Sequence, residues 1–263
     1  MRKYLQLTKM FIQEEIQSPI NVFLNLFLSS IGIIVIMILW KAVFETHAAI
    51  YGITYEEMIR YYLAVLIVGK LIKSGSDDFF KEKVESGDIS SDLIKPINYI
   101  LYLLTRTIAK ILVYFSGLLI ITITLALIIN VAPVSNLVNL IYSLLPIILA
   151  FALGFFVTIS VSSFHFFYPE IQFFSFLVRD MCIGILAGVF FNLELLTGTV
   201  YKIFNILPFK YIINFPAVIL SSDIKMRNIV DGILLQLIWV MIMGLSSIYL
   251  FKSGLRKYNT YGG

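Results

Sequence analysis

The sequence predicts an all-α integral membrane protein with about six transmembrane helices, an amphipathic N-terminal interfacial helix, and broken outer-face helices between spans five and six. Of its 263 residues, 59% are hydrophobic and only 14% are charged. The mean hydropathy of +0.92 is far higher than that of a soluble domain of this length. Both ends of the chain are basic, and an even number of spans places both ends on one side of the membrane.

Residues 1–17 predict a helix that lies in the membrane interface. Apolar side chains such as Phe11 and Ile12 alternate there with charged ones such as Lys9 and Glu14. This pattern is typical of an amphipathic helix at the headgroup level. We expect this helix to lead directly into the first span.

Four segments are apolar and long enough to cross the hydrocarbon core, which takes roughly 20 helical residues. They are residues 20–44, 99–130, 138–165 and 228–251. The uncharged run before Trp40 begins at Ile16, is longer than the hydrophobic region of a signal peptide and lacks a convincing cleavage site. We therefore interpret the first of the four as an uncleaved span.

Two further spans have weaker signals. Residues 172–192 carry Arg179 near their start, and residues 55–73 are interrupted by Arg60 and contain Lys70 near their end. Basic side chains near span ends reach the headgroups, so these charges are compatible with a span. The basic termini favour six spans over five.

Residues 203–221 are apolar but hold Lys210 between Pro208 and Pro216. Two prolines around a charge argue against a simple spanning helix. We predict broken helices that dip in from the outer face, within a re-entrant segment over residues 193–227, because irregular backbone at membrane depth needs protein or water around it. A full crossing by 203–221 is the alternative, and it would place the C-terminus outside.

Residues 74–96 are too short for a domain and too charged for lipid, so they predict a cytoplasmic connector. A helix of mixed charge ends at Gly87, and Pro96 precedes the third span. Such a helix suits docking to a soluble protein, and a solvated loop is the alternative. The connector is rich in lysine whereas the 131–137 turn has none, as the positive-inside rule requires.

Two motifs carry a resemblance to a known family. In the connector, Gly87, Ile89, Leu93, Ile94, Lys95 and Pro96 match a pattern that comes before the third span, and Pro208, Phe209 and Pro216 match an outer-face signature. The chain thereby resembles bacterial ABC type-2 permeases, in a branch often paired with a second permease. Span spacing, the N-terminal helix and the basic tail agree, so the resemblance covers essentially the whole chain, residues 1–263, as one permease domain.

The resemblance implies a permease subunit of an exporter in the bacterial cytoplasmic membrane, with both termini cytoplasmic. A separate ABC ATPase would bind ATP and Mg²⁺ and dock on the connector. A second permease, either the same or a homologous chain, would complete the substrate path. The implied ATPase-coupling residues are Phe79, Phe80, Glu82, Glu85, Gly87 and Asp88, and the implied structural motif residues are Pro96, Pro208 and Pro216. The chain has no G-x-x-x-x-G-K-[ST] loop, so the energy must come from the partner.

Small and polar residues within the spans suggest helix contacts. Gly184 and Gly188 form a G-x-x-x-G pair, which permits close helix packing and is a candidate dimer contact, although such pairs also arise by chance. Asn25 and Ser29 share one face, where hydrogen bonding between helices is favoured over substrate contact. Arg106 lies early in span three, where it is expected to reach headgroups or anionic lipid.

The sequence offers no catalytic constellation. His47 and His165 fall on opposite sides in the predicted topology, and Cys182 is the single cysteine, so neither a shared histidine site nor a thiolate cluster is possible. We expect no metal site or cofactor on this chain, no nucleic-acid partner, and transport rather than enzymatic function. An intramembrane enzyme and a passive channel or structural subunit remain the alternatives. The substrate class stays open among drugs, antibiotics, peptides and lipid-like molecules.

Overall fold

A computed structural model describes residues 2–73, 77–86, 88–94, 96–168, 177–222 and 226–261. The α-helices are α1 (Arg2–Ile16), α2 (Pro19–Phe44), α3 (Tyr55–Lys73), α4 (Asp77–Glu85), α5 (Ile89–Leu93), α6 (Tyr99–Ile129), α7 (Leu137–Ser163), α8 (Ile183–Leu186), α9 (Gly198–Ile206), α10 (Asn214–Ser221) and α11 (Met226–Tyr261). Shorter 3₁₀ turns cover Phe164–Phe166, Leu193–Leu195 and Pro208–Tyr211, and a π turn covers Leu177–Cys182. The chain is therefore an all-α protein in its architecture, as predicted.

Among the described residues, four helices are long and apolar enough to cross a membrane: Pro19–Phe44, Tyr99–Ile129, Leu137–Phe166 and Met226–Lys257. They coincide with the four strongest predicted spans, and their ends differ from the prediction by only a few residues. The chain is a multi-pass membrane protein. The count of six spans stays a prediction.

Helix α1 is amphipathic and packs along the start of α6. Phe11 lies in this contact and is only 2% exposed, with its ring 5.3 Å from that of Tyr102. Ion pairs join Glu14 to Arg106 at 2.9 Å and Glu15 to Lys110 at 3.8 Å. Part of the apolar face of α1 therefore packs on α6, while Leu5, Met10 and Ile16 stay exposed. The expected position of α1 in the membrane interface stays a prediction.

A short β-hairpin, unforeseen in the sequence, follows α2. Strand β1 (Ala49–Ile50) pairs with β2 (Ile53–Thr54) in antiparallel register. Both turn residues have positive φ, 51° at Tyr51 and 82° at Gly52, which is the pattern of the tight hairpin turn that matches strand twist. Thr54 then forms a reciprocal capping box with Glu57, with N···O distances of 2.8 and 3.4 Å, and this starts α3.

Helix α3 was the weakest predicted span, yet most of its described residues are buried. Its side chains from Met58 to Leu66 are almost all fully buried, against α2, α6, α7 and α10. At 1.5 Å per residue, residues 55–73 extend about 28 Å, close to the thickness of the hydrocarbon core. A helix surrounded by protein does not need a lipid-compatible surface, so its charges at both ends do not count against a crossing.

The segment 172–192 differs from a simple span. Residues 177–186 are helical, first as a π turn and then as α8, and the helix ends at Leu186. Ala187 and Gly188 follow in a turn, and Gly188 has a φ of 83°. The predicted continuation of this helix to residue 192 is therefore not present.

Within the predicted re-entrant segment 193–227, the described residues 193–222 form short helices separated by turns, and their dip from the outer face stays a prediction. Helix α9 is followed by the 3₁₀ turn at Pro208 and then by α10. All eight residues of α10 are buried, mainly against α3 and α7. Arg60 donates to the carbonyl of Ser221 at 3.3 Å, and Gly69 lies against Ile213, so α10 runs antiparallel to α3.

The directions of the helices define two ends of the bundle. Helices α7 and α11 run parallel, because Pro146 contacts Gln236 and Phe166 contacts Gly254. The C-terminal part of α11 meets the start of α6, where the rings of Phe251 and Tyr99 stack at 5.9 Å. We call this end, which also carries α1, the terminal end, and the opposite end the hairpin end.

Two apolar cores fill the bundle. The larger core joins α2, α3 and α10 to the middle of α7 and to the halves of α6 and α11 nearer the hairpin end. The smaller core lies at the terminal end and joins α1, α4 and α5 to α6, α7 and α11. Six rings dominate it, which we call the terminal aromatic cluster: Phe11, Phe80, Tyr99, Tyr102, Phe166 and Phe251.

Candidate functional site

Helix α4, the main helix of the predicted connector, is anchored to the bundle by Phe80. This side chain is 2% exposed, and its ring centroid lies 5.2 Å from Phe166, 6.0 Å from Tyr99 and 6.1 Å from Phe251. Those rings belong to three different elements, the turn after α7, α6 and α11. Aromatic pairs at these separations each add about 0.5–1.5 kcal/mol beyond area burial. Phe80 thus connects α4 to three long helices.

The other face of the connector is polar and exposed. Glu82, Ser86 and Asp88 are exposed, and Lys83 lies 3.9 Å from both Asp88 and the buried Asp92. Glu85 is the last residue of α4, and Gly87 lies outside the described residues. Of the predicted coupling residues, the structure thus places Phe80 inside and Glu82 and Asp88 on the surface.

Phe79 points to a hub formed by Arg106. The guanidinium of Arg106 lies 3.9 Å from the centroid of the Phe79 ring and 5.0 Å from that of Phe11, while it pairs with Glu14 at 2.9 Å. Cation–π contacts of this kind contribute about 0.5–2 kcal/mol each. Arg106 therefore joins α1, α4 and α6, and the expected contact with headgroups stays a prediction.

The three predicted motif prolines each sit where a helix begins. Pro96 precedes α6, and its carbonyl accepts from the Lys3 ammonium at 2.9 Å. Pro208 opens the 3₁₀ turn. Pro216 lies in the first turn of α10, where no intrahelical N–H bond is lost. Pro208 and Pro216 thus lie where one short helical element ends and the next begins.

The predicted G-x-x-x-G pair does not form one helix face, because Gly188 lies beyond the end of α8. A Cβ on Gly184 would come within 2.6 Å of Phe190, and one on Gly188 within 2.7 Å of the Tyr61 hydroxyl. That hydroxyl donates to the Gly188 carbonyl at 2.6 Å and accepts from Asn214 at 2.9 Å. Both glycines thus pack inside their own chain, and a dimer contact through them stays untested.

Polar residues of α2 do bond to a neighbouring helix. The Lys70 ammonium donates to Asn25 and, at 3.2 Å, to Ser29. At the other end of the same helix pair, the indole of Trp40 donates to Tyr62 at 2.8 Å. The predicted bonding between helices is therefore confirmed for Asn25 and Ser29, with α3 as the partner.

A polar cavity of about 340 Å³ lies at the hairpin end, between α9, the Pro208–Tyr211 turn, α10 and the start of α11. Lys210 is buried beside it and pairs with Glu194 at 2.9 Å. The same ammonium donates to Asn205 at 2.9 Å and to the Tyr201 hydroxyl at 3.3 Å. The charge that made residues 203–221 unusual in the sequence is thus neutralised within the chain.

Neither this cavity nor the Arg106 hub was predicted from the sequence. The sequence signal for the cavity was Lys210 in an apolar segment. Its partner Glu194 lies in a separate short turn, so sequence spacing cannot pair the two residues. The signal for the second was Arg106 one helical turn before Lys110, opposite Glu14 and Glu15 in α1. Matching those two charge pairs requires knowing that α1 folds back onto α6.

No arrangement for catalysis is visible in the described part of the chain. His47 follows α2 at the hairpin end, and His165 is buried at the terminal end beside Phe166. No group of three or more His, Cys, Asp or Glu residues within those ranges is placed to hold a metal ion.

Comparison with known proteins decides the family. A family model described as ABC-2 family transporter protein matches residues 30–262. The chain belongs to this ABC-2 family. The match runs from within α2 to the end of α11, so it includes the connector, the cavity and both cores except for the residues that α1 and the start of α2 contribute. No curated protein and no solved structure matches the chain.

Membership of the ABC-2 family gives the bundle a general role as the membrane part of a transporter. Two features of this membrane protein therefore stand out, a polar surface at the terminal end and a cavity at the hairpin end. The ABC-2 chain carries its polar connector on an aromatic anchor, and this arrangement is suited to passing motion into membrane helices.

Proposed function

We propose that this ABC-2 protein is the permease subunit of an ATP-binding-cassette exporter that uses a separate ATPase subunit. The observation that carries the proposal is the anchoring of α4 by Phe80 among Tyr99, Phe166 and Phe251. A solvated loop has no need of such an anchor. A docking element does, because a partner's movement must reach the membrane helices.

Charge supports a cytoplasmic position for the terminal end. The described elements at the terminal end include Arg2, Lys3, Lys9, Lys70, Lys73, Lys81, Lys83, Arg106, Lys110, Lys252, Arg256 and Lys257, whereas those at the hairpin end include Lys41, Arg60, Lys202, Lys210 and Arg227. The excess at the terminal end agrees with the positive-inside rule. Both termini and the connector would then face the ATPase.

Six crossings are consistent with the packing. Helix α3 is antiparallel to α2, because Lys70 meets Asn25 while Tyr62 meets Trp40. Helices α7 and α11 are parallel neighbours, so the chain between them has to return from the terminal end to the hairpin end. We assign that return to the segment between Phe167 and Pro208, which contains α8. Helix α3 and this return together add two crossings to those of the four long apolar helices, which gives six.

The two cores suggest how the subunit works. ATP-driven closure of the ATPases would move α4 and, through the terminal aromatic cluster, the adjoining parts of α6, α7 and α11. Helices α2, α3 and α10 belong to the other core, so the two groups shift against each other. A second permease, the same chain or a homologue, would complete the path, and the substrate would leave towards the hairpin end.

Co-purification with the cognate ATPase tests the proposal. Because Glu82 is exposed on α4 and carries no share of the aromatic anchor, Glu82→Lys should weaken assembly and ATP hydrolysis by about tenfold, as expected for reversing a charge in a docking surface. Glu45→Lys, the same charge change at the hairpin end, is the control and should leave assembly unchanged. Normal assembly and transport in Glu82→Lys would count against α4 as the dock.

Two rival functions give distinct outcomes in the same preparations. Ion conductance by the chain in liposomes without ATP would indicate a channel. Turnover of a substrate by the purified chain without an ATPase would indicate an enzyme. Either result would contradict the exporter proposal.

A further inference from the structure

We propose that the cavity at the hairpin end binds a small organic cation, one with a single ammonium group on an apolar body, and that Asp231 is its counter-charge. The site lies in this chain alone, so the inference goes beyond the exporter function and does not depend on it. The cavity volume of about 340 Å³ lies at the lower end of the range of small-molecule pockets, roughly 300–1,000 Å³.

The charges of the cavity select for a cation. Lys210 is 5% exposed, and an ammonium has three protons to donate. Glu194, Asn205 and the Tyr201 hydroxyl accept all three. Lys210 therefore has no proton left for a ligand, and Glu194 balances its charge.

Asp231 is left as the net charge of the cavity. It lines the cavity, it is exposed, and it forms no ion pair with any residue in the described ranges. The helix dipole acts only within the first turn, and Asp231 lies beyond the first turn of α11, which begins at Met226. The helix itself therefore does not account for a carboxylate at this position.

The rest of the lining suits an apolar body. Phe215 and Val218 of α10 line the floor, and both are largely buried. Gly232 lies one residue after Asp231, and a Cβ there would come within 2.3 Å of the Phe215 ring. The absence of a side chain at Gly232 keeps this ring against α11, beside the carboxylate. A cation with an aromatic or aliphatic body would place its charge at Asp231 and its body on Phe215.

Binding of benzylammonium to the purified full-length chain in detergent micelles tests the proposal, with benzyl alcohol as the neutral probe of matched shape. Titration calorimetry should show saturable binding of benzylammonium and about tenfold weaker binding of benzyl alcohol, since only the former pairs with a carboxylate. Asp231→Asn should weaken benzylammonium binding by a similar factor. Asp231→Glu should restore it.

Glu45→Gln is the control variant, because it removes an exposed carboxylate at the same end but outside the cavity. It should bind benzylammonium as the parent does, whereas general attraction to an acidic surface would weaken both variants alike. Absence of saturable binding, equal binding of the two probes, or unchanged binding in Asp231→Asn would overturn the proposal. Assembly with an ATPase is measured separately through α4, so failure of one proposal leaves the other standing.

Discussion

At the scale of single residues, the Lys210–Glu194 pair has the clearest energetic consequence. Glu194→Gln leaves a buried ammonium without a counter-charge, and we expect it to destabilise the protein by about 1–3 kcal/mol. This is less than the loss from breaking a fully buried ion pair, because the Glu194 side chain is partly exposed. Thermal unfolding in micelles measures the loss. Adding Lys210→Met to Glu194→Gln should recover most of it, and an equally unstable double variant would show that the ion pair is not the cause.

Gly188 offers a second residue-scale prediction with a matched control. Gly188 and Gly52 have nearly the same φ, 83° and 82°, but a Cβ on Gly188 meets Tyr61 and Asn214 whereas one on Gly52 meets nothing within 4 Å. Gly188→Ala should therefore lower the melting temperature more than Gly52→Ala, which carries only the conformational strain of about 1 kcal/mol. Equal losses would contradict the close packing at Gly188.

Residue roles were the least predictable part of this chain, and Gly188 shows why. A G-x-x-x-G pattern implies a shared face only while the helix continues, and the helix ends at Leu186 because the chain turns there with a positive φ. Nothing in the local sequence distinguishes the two cases. Asn25 and Ser29 were predictable, since i, i+4 spacing on a continuous helix such as α2 fixes a common face.

At the scale of elements, α4 depends on Phe80 for its position. Phe80→Ala removes a ring from a packed cluster, a change that lowers the free energy of unfolding by about 3–5 kcal/mol when the ring is fully buried. We expect α4 to lose more local stability than the other helices. Hydrogen–deuterium exchange should then speed up in residues 77–86 while α2 and α3 keep their protection. Glu82→Ala, on the exposed face of the same helix, is the control and should leave exchange unchanged.

Helix α3 illustrates what hydropathy does and does not reveal. The strongest hydropathy signals marked α2, α6, α7 and α11 because these helices expose apolar surface on one side. Helix α3 is enclosed by protein, so its composition is free of that requirement, and its end charges bind neighbours: Arg60 donates to Ala132 and Ser221. Element existence was thus predictable from length and periodicity, but the degree of enclosure follows only from packing.

At the scale of the whole molecule, the exporter proposal rests on one assumption, that the terminal end faces the cytoplasm. Basic charge and family membership could be judged from the sequence, and the same-end placement of α1 and the C-terminal part of α11 follows from the packing of Phe251 on Tyr99. Pro96, Pro208 and Pro216 carried the resemblance to the family. Such positions can be recognised in a sequence, because proline is favoured where a helix begins. The parallel run of α7 beside α11 was beyond sequence reasoning, since it depends on where a broken segment turns.

Accessibility labelling tests this orientation in whole cells. Single cysteines at Ser86, on the connector, and at Thr199, on α9, are both exposed, and the background carries Cys182→Ala to remove the free thiol. A membrane-impermeant maleimide should label position 199 in intact cells and position 86 only after permeabilisation. The opposite pattern would put the connector outside, beyond the reach of ATP, and would contradict the ATPase dock. Labelling of both positions in intact cells would contradict the placement of α4 on the terminal aromatic cluster and of α9 beside the start of α11, at opposite ends of the bundle.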